Sequence, residues 1–150
     1  MATHLTFIVL NSAIKSRIVC DLTEKIFLEN EKLVIYARQE AECQKLDSLL
    51  WTWKQQSFIP HACAEILTEM LPEPVVLTSR IEKPAGYTAL LLVDPLPVEI
   101  VSQFPKVIDF AEKYDAESLV LSRKRYKEYR DGNFSIETLQ PGEYLHNDNQ

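Results

Sequence analysis

Residues 119–130 hold five of the sixteen bases of the chain, Arg123, Lys124, Arg125, Lys127 and Arg130, against one acid, Glu128. The local charge is +4, so the remaining residues together carry −10. On a helix, Arg123, Tyr126, Lys127 and Arg130 fall at i, i+3, i+4 and i+7 and share one face. Basic groups then flank an aromatic ring, a face suited to a partner that is acidic and also apolar or aromatic. Part of the pattern is ordinary helix chemistry, because a helix C-terminus favours cations. Lys124 and Arg125 are read as part of such a solvated face.

A second cluster is aromatic. Trp51, Trp53 and Phe58 crowd the stretch after the second expected helix, closed by Pro60 and His61. Both tryptophans of the chain are here. Two readings stand: packing into the core, or anchoring an interface, a role in which large aromatic side chains dominate.

Catalytic patterns fail one by one. His61-Ala-Cys63-Ala-Glu65 has a Cys-Ala-Glu triplet like that of zinc deaminases, but no cysteine follows Cys63 to complete the metal set. The triplet reads instead as a buried thiol at the start of a helix. Cys20, Cys43 and Cys63 are odd in number and none has C-x-x-C spacing, which reads as reduced thiols. There are only three glycines, Gly86, Gly132 and Gly142, and none lies in the first strand–helix turn, residues 10–14. Phosphate-cradling loops need several, so a P-loop and a dinucleotide fingerprint are excluded. Asp94 and Asp109 fall at or near the ends of apolar runs, where α/β enzymes often keep carboxylates; Asp94 precedes Pro95 and reads equally as a turn. Neither His4 nor His146 sits beside a nucleophile, and no serine lies in a G-x-S-x-G elbow. No cofactor is expected. The net charge of −6 also opposes a chain that grips phosphate backbones with its whole surface.

These residues must be positioned by a repeating pattern. Apolar runs read as strands near 5–10, 32–37, 74–78, 88–93 and 106–110, the last strand expected. Between them lie helical stretches at 13–29, capped by Ser12 with Ile14 inward, at 39–51 with Ala41 inward, at 62–70, at 97–103 and at 114–131, stopped by Gly132. Strands apolar on both faces call for helices on each side of the sheet. The expectation is one three-layer α/β/α Rossmann-like domain over 1–140 with a mostly parallel sheet, followed by a polar, frayed tail at 141–150. The longest strongly apolar runs, 7–10 and 89–93, fall far short of the roughly 20 residues that cross a bilayer. The start of the chain lacks the basic region of a signal peptide, so a cytoplasmic protein is expected.

Several segments together resemble the chi subunit of bacterial DNA polymerase III, an accessory protein of the clamp-loader assembly. They are Lys45-Leu-Asp-Ser-Leu-Leu-Trp51, Ser57-Phe-Ile-Pro-His61, Val107-Ile-Asp-Phe110, and Arg125-Tyr-Lys-Glu-Tyr-Arg130 followed by Gly132 and Phe134. The resemblance covers roughly 3–136, with 62–84 matching poorly. It implies a non-catalytic protein that pairs with the psi subunit and docks the acidic C-terminal tail of single-stranded-DNA-binding protein, which ends in an aromatic residue and a free carboxylate. Carried over by motif, Arg123, Tyr126, Lys127 and Arg130 form the tail site, and Trp51 and Phe58 lie at the psi surface. Two rivals are an enzyme using Asp94 or Asp109 and a direct binder of single-stranded nucleic acid through the basic helix. The −10 carried elsewhere opposes the second.

Overall fold

The computed structural model describes residues 3–13 and 15–146. The inward position expected for Ile14 and the last four residues of the expected tail lie outside them.

Four runs are buried on both faces and so form strands inside a covered sheet. These are β1 (His4–Leu10), buried in all but its first residue, β2 (Leu33–Tyr36), β4 (Val75–Thr78) and β5 (Ala89–Leu92). With β3 (His61–Ala64), β6 (Lys106–Glu112) and β7 (Ser135–Leu139) they make one sheet in the order β3-β4-β2-β5-β6-β1-β7. Every pairing is parallel. Helices α1 (Ser16–Leu28), α2 (Glu40–Thr52), α3 (Val98–Val101), α4 (Ala116–Asp131) and α5 (Pro141–Leu145) connect or follow the strands.

Alternation along the strands divides the core into two layers. Ile8, Leu10, Leu33, Ile35, Leu91 and Phe110 pack with α1, α2 and Tyr144 of α5. Leu5, Phe7, Val34, Tyr36, Leu90 and Val107 turn the other way and pack with Val101, Phe104 and Tyr129 near α3 and α4. The three-layer α/β/α expectation holds, with a sheet that is parallel throughout.

Several local expectations are corrected. Residues 62–70 are not a helix: 61–64 pair in register with 75–78 as an edge strand, because β4 takes up their backbone groups. Ser12 does not cap α1, whose N-cap is Lys15 with no side-chain hydrogen bond. Ala41 is exposed rather than inward. β6 is not the last strand; β7 pairs beyond it with β1. Gly132 does follow α4, but the left-handed residue that turns the chain is Asn133, at φ 65°. The expected frayed tail contains α5, closed by a capping box between Gln140 and Glu143 and pinned by buried Tyr144.

Candidate functional site

α4 crosses one face of the sheet above β6 and β7. Register places Thr138, Phe7 and Asp109 abreast across β7, β1 and β6 beneath it. Asp115 starts the helix, its carboxylate accepting from the Ser118 backbone N–H at 3.1 Å.

Asp109, only 3% exposed, fixes the helix to the sheet. Its Oδ2 accepts from Arg125 Nε at 2.9 Å and from the Tyr129 hydroxyl at 2.8 Å. The Arg125 guanidinium also donates to the Phe110 carbonyl at 3.1 Å and pairs with Glu112 at 3.7 Å. Arg125 is therefore no part of a solvated face. Burial works against its charge, but Asp109 outweighs burial and holds the group more firmly protonated than an ordinary arginine. Burial, then Asp109, pushes the Tyr129 phenol far above its usual range, so it stays a hydrogen-bond donor.

This clamp sets which flank of α4 faces outward. Tyr126 keeps 43% exposure and tilts over Phe7, ring centroids 5.8 Å apart. Beside the two rings opens a cleft of about 160 Å³ lined by Phe7, Ala111, Lys113, Leu119, Ser122, Arg123, Tyr126 and Thr138. Its floor is apolar, and its only cationic lining groups are Arg123 and Lys113. The structure thus brings Arg123 and Tyr126 together at one notch. Lys127 and Arg130 are exposed on the same helix but do not line it, and Arg130 lies 3.6 Å from Asp131. Sequence reasoning missed Lys113, Phe7 and Thr138; no helical spacing links them to α4, because they come from three other segments.

The aromatic cluster resolves into two parts. Trp51, in the last turn of α2, is 52% exposed, and Phe58 stands 68% exposed with its ring 5.9 Å away. Under Trp51, at 4.3 Å, lies the buried His61 ring. Nδ1 of His61 sits 2.6 Å from the Ile59 carbonyl oxygen and Nε2 3.1 Å from that of Asp47, so the ring is a fixed platform. Trp53 is separate: it packs on the α1–α2 core between Arg17 and Lys54.

Other candidates are engaged elsewhere. Asp94 accepts from the Arg38 backbone N–H at 2.8 Å, a bond that ties the segment after β5 to the segment after β2 rather than closing a local turn. His4 pairs with Glu137 across β1 and β7 at 3.0 Å. Cys63 is exposed on β3 rather than buried at a helix start, yet partial desolvation, with Asp47 nearby, raises its thiol to about 11, which leaves it a poor nucleophile at neutral pH. Among the described residues no three His, Cys, Asp or Glu side chains gather as a metal set, and no helix is long and apolar enough to cross a membrane.

The family model described as DNA polymerase III chi subunit, HolC, matches residues 2–137. The chain is similar to the DNA polymerase III subunit chi of Pseudomonas aeruginosa, at 28% identity over 90% of this chain and 94% of that protein. It is similar to the subunit chi of Haemophilus influenzae at 28% identity, covering 83% and 86%. The subunit chi of Escherichia coli matches at 24%, covering 81% and 82%.

Proposed function

The chain belongs to the DNA polymerase III chi subunit family, and from that premise we propose that it is a non-catalytic connector within the replication machinery. One face, at Trp51 and Phe58, meets the psi subunit and through it the clamp loader. The other, at Arg123, Tyr126, Lys127 and Arg130, receives the acidic C-terminal tail of single-stranded-DNA-binding protein.

The observation that carries this reading is the notch beside Tyr126, an apolar cleft with cations at its rim on a protein of net charge −6. An acidic peptide ending in an aromatic ring satisfies both halves of that site: the ring fills the cleft and the acids meet the bases. A nucleic-acid strand asks for a long basic groove, which a local +4 within a −10 surround does not supply. The enzyme reading loses Asp109, whose carboxylate is spent on Arg125 and Tyr129.

The test is titration of a fluorescently labelled acidic tail peptide into the purified chain, at low and high salt. Binding weakens as salt rises, since exposed ion pairs are screened, yet persists because the ring is buried. Removal of the terminal aromatic residue abolishes that salt-resistant part. Equal binding of the full and truncated peptides overturns the reading.

A further inference from the structure

β7 is an edge of the sheet, with β1 as its one strand partner. Its residues alternate between two sites. Ile136 and Thr138 turn to the α4 side, where Thr138 lines the notch. Glu137 and Leu139 turn to the α1 side and line a separate cavity of about 220 Å³. The two ends of the strand are held unequally. At its start the Ser135 N–H donates to the Thr3 carbonyl at 2.9 Å and the Phe134 N–H to the Tyr129 carbonyl at 3.1 Å, and the Phe134 ring stacks on Tyr129 with centroids 5.2 Å apart. Tyr129 is itself fixed by Asp109. At the far end exposed Thr138 and half-buried Leu139 have their ladder to Phe7 and Ile8, and then α5 begins after one residue. The Gln140 backbone N–H donates to Glu143 at 2.7 Å, which closes the first turn of α5. Tyr144 is buried in the core layer of α1 and α2, with the Lys25 ammonium 5.4 Å from its ring centroid. Its hydroxyl makes no hydrogen bond among the described residues, so the ring is the anchor.

We propose that α5 is a strap whose buried ring, Tyr144, pins the loose end of β7 and thereby holds the Thr138 wall of the notch in place from the opposite face of the sheet. The link to binding rests on the tail-binding reading of the notch. The strap itself goes beyond that reading, because α5 lies past the matched residues 2–137. An edge strand with a single partner opens first at the end with the fewest buried contacts, where regained chain freedom outweighs what is given up. In β7 that end is Thr138-Leu139, since Tyr129 and Thr3 secure the other. With the strap docked, Thr138 stays opposite Phe7 and the cleft keeps its shape. With the strap released, the wall is in place only part of the time, and the apparent affinity for a ligand of the notch falls by that fraction. Tyr144 is then a positioning residue: it acts through β7 and stands on the side of the sheet away from the notch.

The experiment combines amide hydrogen exchange of the full chain with titration of a labelled acidic peptide ending in phenylalanine. Tyr144→Ala speeds exchange across 136–145 while the amides of β2 and β5 keep their wild-type protection, and it weakens the peptide about threefold or more. Tyr144→Phe keeps the ring and matches wild type in both readouts. Val75→Ala, a core truncation in β4 on the far side of the sheet, lowers the melting temperature and leaves peptide affinity unchanged. Wild-type exchange at 136–139 in Tyr144→Ala overturns the strap. Faster exchange there with unchanged affinity overturns its link to the notch, and so does a Val75→Ala variant that binds as poorly as Tyr144→Ala. A wild-type chain that binds the peptide equally well with and without its phenylalanine overturns the tail-binding reading instead, and the exchange data still decide the strap.

Discussion

Trp51 and Phe58 stand beside β3, and Tyr126 stands beside β7, at the two edges of one sheet. Six strand spacings separate those edges, about 29 Å. The two surfaces are also built differently. Trp51 rests on a buried imidazole and offers flat apolar area together with Phe58. Tyr126 stands half-exposed over Phe7, beside a recess rimmed by the cations Lys113 and Arg123. The first surface can hold only what buries it; the second can also draw a partner in by charge. Partners bound at the two edges do not compete for space, and salt distinguishes them: raising it weakens the Tyr126 side and leaves the Trp51 side nearly untouched.

The largest break in this comparison comes from the clamp beneath α4. Asp109→Ala leaves the Arg125 guanidinium buried and without its main counter-ion, a loss of about 3–5 kcal/mol of stability. Chemical denaturation measures it. In the fraction still folded, tail-peptide binding falls before psi binding does, because Asp109 holds the helix that carries Tyr126.

Next is Trp51→Ala. As an interface anchor it costs psi binding about 2 kcal/mol or more. At 52% exposure its melting shift stays below that of a buried aromatic, which loses about 3–5 kcal/mol. Calorimetric titration with psi beside a thermal melt reads both, and a collapsed melt with unchanged psi affinity would return Trp51 to the core.

The smallest effects sharpen the Tyr126 side. Arg123→Glu weakens the tail peptide most, Lys127→Glu less and Lys124→Glu least, the last two within about 1 kcal/mol. Lys124 points about 100° away from Arg123 around the helix. Equal losses from all three in peptide titrations would reduce the site to a diffuse positive patch.

How far the sequence carries depends on what each segment leans on. β2, β5 and β6 are legible because their apolar runs are buried by neighbours on each side. β3 is not: His61-Ala-Cys-Ala64 is a short, half-exposed edge strand with no β-branched residue, and only pairing with β4 makes it extended. β7 hides because it is a largely exposed edge strand, with Ile136 and Leu139 only half-buried, although it carries the β-branched residues Ile136 and Thr138. Pro141 and Gly142 look like breakers, yet proline fits the first turn of a helix and Tyr144 supplies the anchor. Within the site, helical spacing finds Arg123 and Tyr126, which share the notch. It cannot separate buried Arg125 from exposed Lys124, because the decisive partner, Asp109, lies on a strand sixteen residues earlier. Nor can it find Lys113, which joins the notch only once β6 and α4 are packed.

The position of β1 also governs how the chain is made. Of the seven described strands β1 is synthesised first, but its partners are β6 and β7, so its hydrogen bonds reach residues 106–112 and 135–139. At roughly 5–20 residues per second of translation, the apolar strand waits on the order of ten seconds before its second partner exists. Such distant pairings close large loops and slow folding. A chain that ends before residue 135 therefore leaves β1 with an open edge.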